Sequence, residues 1–242
     1  MRPDSERRTV GFLATAGLNA SEIAFVAQIP RSTVREWLDS PERRPRQHRT
    51  PSVDLTALPM SQYSYLLGFY LGDGTISRGQ RGVYRLRIKT DAQYPSLIEE
   101  CAAAMRAVLP MNRVNIQQLR YRAVEISCWS KTLPLLFPQH GPGPKHTRRI
   151  ELTPWQDRIV ARYPQQFLRG LIHSDGCRVL NRVNGKAYPR YFFTQVSEEI
   201  KEIFCNTCRQ LGISYSLNNW KTVSIARRES VALLDSFVGP KT

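Results

Sequence analysis

The sequence predicts an α+β protein in which one αββαββα unit is written twice behind a small all-helical module. Three observations carry this. A decapeptide recurs at a spacing of 102 residues, the order of elements after it recurs as well, and the first 38 residues show only helical periodicity. Self-similarity at a fixed spacing constrains architecture more tightly than any local propensity. The chain has 242 residues, enough for one small module and one body of ordinary size, and its 41% hydrophobic content supports a packed core.

The first module spans 1–38. An apolar stripe from Val10 to Ala16 is closed by Gly17, as glycine does beyond a helix C-terminus. A second helix is expected over 21–27, and Gln28-Ile29-Pro30 makes a tight connection. Ser32 is expected to cap a third helix running through Leu38. Ile23, Val26, Val34 and Trp37 fall where two crossing helices share a core. The arrangement resembles a helix-turn-helix, which implies that Arg31, Ser32, Thr33 and Arg35 face a DNA major groove. A helical hairpin that docks on protein is the alternative. Residues 39–60 follow, with Pro41, Pro45, Pro51 and Pro59 among Arg43, Arg44, Arg46 and Arg49, and read as an extended linker.

The repeat occupies 61–153 and 154–242. Tyr65-Leu66-Leu67-Gly68-Phe69-Tyr70-Leu71-Gly72-Asp73-Gly74 returns as Phe167-Leu168-Arg169-Gly170-Leu171-Ile172-His173-Ser174-Asp175-Gly176. After each copy comes a strand pair (75–77 with 84–90; 177–183 with 190–196) and a helix (95–109; 198–211). A second strand pair (113–117 with 123–128; 214–218 with 222–226) and a last helix (133–137; 229–237) complete each half. The tails also match, Gly143-Pro144-Lys145 against Gly239-Pro240-Lys241.

Within the decapeptides, Gly68 and Gly72 share one helix face, as do Gly170 and Ser174. Small residues at that spacing let two helix backbones approach, so the repeated helices are expected to pack on each other about a pseudo-two-fold axis. Gly74 and Gly176 are expected to end those helices in the left-handed conformation. Asp73 and Asp175 then sit at helix C-termini, where the dipole disfavours a carboxylate. Two acids side by side there call for a cation, and free carbonyls nearby suit a hard ion such as Mg²⁺. Ordinary acids on separated turns are the alternative.

The strands offer a polar surface. In Tyr84-Arg85-Leu86-Arg87-Ile88-Lys89 basic and apolar residues alternate, so Arg85, Arg87 and Lys89 share one face. Arg113, Asn115 and Gln117 repeat this against Val114 and Ile116. Ser214, Ser216 and Asn218 do so more weakly, with Arg178 and Arg190 nearby. Such residues match base edges in a major groove.

The repeat, its two acid-glycine endings and the order of elements resemble the LAGLIDADG homing endonucleases in their single-chain, two-motif form, over about 61–242. The resemblance implies antiparallel, saddle-shaped sheets over double-stranded DNA and metal held by Asp73 and Asp175. It also implies Lys145 and Lys241 near the scissile phosphates, and a polar residue that positions water: Gln195 or Ser197 in the second half, Thr90 or Asp91 in the first. The implied activity is site-specific, Mg²⁺-dependent hydrolysis of both DNA strands by a monomer. Leu71 and His173 depart from the motif where it spells an earlier acid. The helical module resembles that of bacterial transcription regulators carrying a LAGLIDADG body without cleavage, which keeps a DNA-binding regulator open. RNA-splicing maturases, which some family members become, are a third reading. An intein is disfavoured, because no splicing Cys or Ser opens the chain and no His-Asn pair closes it.

Charge agrees with a nucleic-acid partner. The net +15 favours a polyanion, since Lys and Arg release the counterions condensed on phosphates. No run of 18 apolar residues predicts a membrane span. Five scattered cysteines, including Cys205 and Cys208 in a CxxC without a second pair, suggest reduced thiols rather than a zinc site. The expected setting is cytoplasmic, nucleoid-associated in a bacterium.

Overall fold

A computed structural model describes residues 4–39, 51–239 and 241. The arginines and prolines expected in the linker at 40–50 lie outside the described residues. Two compact units separate at Thr50 and Pro51.

The first unit holds α1 (Asp4–Thr15), α2 (Ala20–Ala27) and α3 (Arg31–Asp39) around Val10, Ile23, Ile29 and Val34. Gly17 ends α1 at φ +85, and Leu18 N–H returns to the Leu13 carbonyl at 3.2 Å. A capping box starts α2: Asn19 Oδ1 accepts from the Ser21 and Glu22 amides, and Glu22 accepts from the Asn19 amide at 2.7 Å. Ser32 is not the cap expected for α3. The helix begins at Arg31, two residues before that cap would allow, and the Pro30 carbonyl accepts the first bond, from Val34 N–H, at 3.1 Å. Trp37 packs on this core, whereas Val26 faces solvent beside Phe25.

The second unit contains two halves of the same plan. In the first, α4 (Met60–Asp73) leads to β1 (Gly74–Arg78), β2 (Tyr84–Asp91), α5 (Pro95–Val108), β3 (Val114–Gln118), β4 (Ala123–Ser130) and the single turn α6 (Leu133–Leu136). An unforeseen helix, α7 (Pro154–Arg162), introduces the second: α8 (Pro164–Asp175), β5 (Gly176–Val183), β6 (Lys186–Thr194), α9 (Glu198–Gln210), β7 (Ser216–Leu217), β8 (Thr222–Ile225) and α10 (Arg228–Phe237). Each half forms an antiparallel four-stranded sheet, in the orders β1-β2-β4-β3 and β5-β6-β8-β7. The two-residue β7 is shorter than its sequence predicts. Ser214 N–H leaves the ladder for Ser230 Oγ of α10, and Asn218 N–H closes a turn to the Thr222 carbonyl.

Leu86, Ile88, Ile126 and Cys128 pack inward from the first sheet, and Tyr191, Phe193, Val223 and Ile225 from the second. The helix α4 is buried from Tyr63 through Leu71 on every side, as a helix without a polar face must be. Phe193 stacks on Phe204 of α9 at 4.1 Å. Cys205 and Cys208 are buried on α9, where desolvation pushes both thiols up.

Candidate functional site

The site is built by backbone contact between α4 and α8. A methyl group on Gly68 would lie 2.3 Å from the Phe167 carbonyl oxygen, and one on Gly170 would lie 2.1 Å from that of Tyr65. Glycine in a helix interior costs about 0.5–1 kcal/mol, so its presence here is explained by the crossing. Polar links run between the helices: Ser64 Oγ donates to the Tyr163 carbonyl at 3.0 Å, and Tyr65 Oη bonds His173 Nδ1 at 3.0 Å.

Gly74 and Gly176 do not take the left-handed conformation expected of them; their φ values are −77 and −105. Each is the first residue of a strand that turns straight back over its helix. A methyl on Gly74 would meet Tyr70 Cα at 2.6 Å, and one on Gly176 would meet Ile172 Cα at 2.8 Å. Lack of bulk, not conformational freedom, is what the motif's last position requires.

This crossing delivers Asp73 and Asp175 to adjoining helix ends. Asp175 Oδ2 would lie 2.7 Å from a methyl on Gly72, the residue before Asp73. Gln195 Nε2 donates to Asp175 Oδ2 at 2.7 Å. The Gln195 amide is itself oriented, because its Oε1 accepts from the Val196 and Ser197 backbone amides. Desolvation raises both acids. Asp175 is pushed to about 7, with the Asp73 charge adding to the cause, while Lys145 and Lys241 pull both back. Among the described residues no third His, Cys, Asp or Glu joins the pair.

The helix-end carbonyls, expected to be free, are taken by ammonium groups. Lys145 Nζ donates to the carbonyls of Tyr70, Gly72 and Gly74 at 2.5, 2.8 and 2.6 Å. Lys241 Nζ donates to the Ser174 carbonyl at 3.3 Å, the counterpart of Gly72 in the repeat. The negative helix ends thus attract cations, and the first to arrive are the protein's own. Burial lowers Lys145 to about 8, against the pull of both acids, and lowers Lys241 as well. A pocket of about 330 Å³ opens beside Asp73, lined also by Tyr70, Lys145, Arg148 and Gln195.

A network that joins the two halves holds the end of α10, a few residues before Lys241. Arg169 is bidentate to Glu100 at 2.6 and 2.8 Å and donates to the carbonyls of Phe237 and Val238 at the end of α10. His173, held neutral to about 4 by burial and by Arg169, lies 3.4 Å from the Val238 carbonyl. In the first half Tyr63 Oη and Gln156 Nε2 hold the Leu136 carbonyl instead, at 2.5 and 3.4 Å.

On the first sheet, Arg85, Arg87 and Lys89 do share the face turned away from the helices. Their partners on β4 are Trp129, Ser127 and Glu125; Asn115 and Gln117 of β3 lie beyond, and Arg113 is exposed just before that strand. Arg85 donates to Glu125 at 2.7 Å and lies over the Trp129 ring at 5.4 Å. On the second sheet Arg190 lies on the corresponding face, over the Phe192 ring. Arg178 does not. Its cross-strand partner is buried Tyr191, and it pairs with Asp235 of α10 at 2.7 and 2.9 Å on the helix side. The parity of β5 decides this: inward Gly176 puts Arg178 on the same face. Of the proposed second-half polar residues, Ser216 stays on the outer face opposite Ser224. In the first unit Arg31, Ser32 and Arg35 are exposed on α3 and Thr33 is half-buried.

Of the candidates for positioning water, Gln195 is the one bonded to a motif acid. Ser197 caps α9, and Asp91 accepts from Gln93 N–H in the turn before α5. Sequence reasoning missed Glu125, Ser127 and Trp129, whose alternation with Val124, Ile126 and Cys128 was the available signal. It also missed a role for Tyr70, for which no local pattern exists, while Arg148 reads only as a basic residue following Lys145.

No family model matches the chain. An uncharacterized protein of Methanocaldococcus jannaschii is 24% identical over 184 residues, 75% of this chain, which spans 62% of that relative's length. Among solved structures, I-DmoI in complex with DNA and Ca is similar with a TM-score of 0.52 and 19% identity, covering 74% of this chain and 89% of that one. Mesophilic variants of the homing endonuclease I-DmoI give a TM-score of 0.51 at 17% identity, over 74% and 96% of the two chains. With its doubled unit, its two antiparallel sheets and its glycine-joined helices, the chain has the fold of the LAGLIDADG homing endonucleases.

Proposed function

We propose that the chain is a site-specific endonuclease acting on double-stranded DNA with a divalent cation, Mg²⁺ by preference. The observation that carries this is the pairing of Asp73 and Asp175 at adjoining helix ends, both held above the usual carboxylate range, with Lys145 and Lys241 alongside. The donor set fits a hard cation: two carboxylates whose mutual repulsion is incompletely balanced, and no sulfur or imidazole. Asp73 and Asp175 would hold the ion, and Gln195 fixes the orientation of Asp175. When bound, such an ion supplies an acidified water and offsets charge on a departing 3′ oxygen. Lys145 and Lys241 offset charge on the phosphates. The I-DmoI complexes with DNA and Ca or Mn support both partners.

The open sheet faces bind the duplex. Arg85, Arg87, Lys89 and Arg190 match guanine edges or phosphates, and Asn115 and Gln117 match adenine. The first unit adds contacts through Arg31, Ser32, Thr33 and Arg35 of α3. Both acids lie in one chain, so a monomer suffices, and a reduced cytoplasmic setting suits five free thiols.

A randomised duplex library, incubated with the protein in Mg²⁺ or in EDTA, tests the reading. The expected result is cutting at one defined sequence in Mg²⁺ alone. Tight retention of one sequence without cutting makes the chain a DNA-binding regulator instead.

A further inference from the structure

We propose that Arg148 and Tyr70 form a phosphate-oxygen site beside Asp73 that serves one DNA strand, the repeat having no tyrosine at the position of Tyr70. This rests on the endonuclease reading.

Tyr70 lies in the motif helix and is 1% exposed, and its O–H finds no acceptor among the described residues. Buried hydroxyls are rarely left so. Arg148 stands close enough to donate to the phenol oxygen and for its charge to act there, while its buried Nε and Nη1 have no acceptor among the described residues. Both residues line the pocket of about 330 Å³ that also holds Asp73 and Lys145. The guanidinium is accommodated by Gly141, where a methyl group would lie 2.5 Å from Nη1. Burial holds the phenol up to about 12, so it stays a donor at neutral pH.

The unsatisfied groups at this spot are all donors: two guanidinium N–H groups and one phenol O–H. A guanidinium presents its N–H groups in a fork that matches two oxygens of a phosphate. The complementary occupant is therefore an anion with several acceptor oxygens. In a duplex laid over Asp73, that is the non-bridging oxygens of the phosphate nearest the first acid. Water alone would satisfy these donors without using their charge.

The second half does not repeat the phenol. At the position of Tyr70 the repeat places Ile172, whose side chain has no hydrogen-bonding group. Asp175 has Gln195 instead. The two half-sites are thus chemically unequal: the first has a phenol donor where the second has an aliphatic side chain, and the second has Gln195 on its acid.

The test follows the two strands separately. A duplex selected by cutting is labelled differently on each 5′ end, and single-turnover rates are measured for native protein, Arg148→Leu, Arg148→Lys and Tyr70→Phe. Thermal melting and duplex retention are checked for each. Arg148→Leu is expected to slow one strand about 100-fold and the other less than about threefold, so that nicked duplex accumulates. Arg148→Lys should recover part of the loss, and Tyr70→Phe should slow the same strand about tenfold. Equal slowing of both strands by folded Arg148→Leu, or no slowing, overturns the site while leaving the endonuclease in place. Absence of cutting by native protein removes both.

Discussion

Asp73→Asn and Asp175→Asn should each lower the single-turnover rate of both strands by about 1,000-fold or more, with duplex retention nearly unchanged. Asparagine keeps the shape of the side chain and removes the charge that holds a shared cation, a loss comparable to or larger than that of one preorganised donor. The comparison is gel-resolved cutting of one selected duplex by native and variant proteins. Retention of native rates by either variant would remove that acid from the chemistry. The same substitutions have a second, opposite effect on stability. Asp175 is held at about 7 in the fold, against an ordinary 3.8. The folded state therefore binds the proton more tightly than the unfolded chain, and stability falls as pH rises from about 4 through 7. Above pH 7 the full penalty is present. Without divalent cation, Asp175→Asn should then be more stable than native protein by about 2 kcal/mol at pH 8, roughly half of what the shift alone converts to, since the carboxyl keeps some solvent. At pH 4 the advantage should vanish, and Mg²⁺ at pH 8 should reverse it.

Gly170→Ala should lose about 3 kcal/mol or more, a drop of roughly 10 °C in melting temperature for a unit of this size. The added methyl would stand 2.1 Å from the Tyr65 carbonyl oxygen and 2.8 Å from the Phe69 amide nitrogen. Those atoms belong to the backbone of a helix buried on every side, so no rotamer change relieves the clash. Separating the helices would also move Asp73 away from Asp175, and cutting should fall in the protein that still folds. Ser174→Ala is the matched control at the next contact down the crossing: it removes one hydrogen bond, to the Leu171 carbonyl within its own helix. A melting temperature within about 2 °C of native for Gly170→Ala would show that the helices can part without cost.

The repeat made most of the architecture legible. Period-two alternation assigned Arg85, Arg87 and Lys89 to one face, because Leu86 and Ile88 between them must be buried. In β5 the parity is set by the inward Gly176, which sends Arg178 to Asp235 instead of to the outer face. The short helix α7 escaped, and β7 came out shorter than the expected 214–218, since both are decided by neighbours: Gln156 of α7 bonds Tyr63, and Ser230 of α10 draws Ser214 from the sheet. At the centre, sequence spacing located Gly68, Gly170 and both acids, yet assigned the wrong reason to Gly74 and Gly176. A glycine after a helix reads as a left-handed cap by default; that each opens a strand packed against the residue four positions earlier, Tyr70 or Ile172, shows only in the structure. The carbonyls seized by Lys145 are equally out of reach, because that lysine lies 71 residues beyond Gly74 in the chain.

The most direct measurement is a count of bound Mn²⁺ in the protein–duplex complex, read from the loss of the free-ion resonance, for native protein and for the Asp73→Asn, Asp175→Asn double variant. The expected result is Mn²⁺ uptake by the native complex, with cutting, and neither in the variant although it still retains the duplex. Equal uptake by both, or cutting by the variant, would contradict a metal centre at the joined ends of α4 and α8.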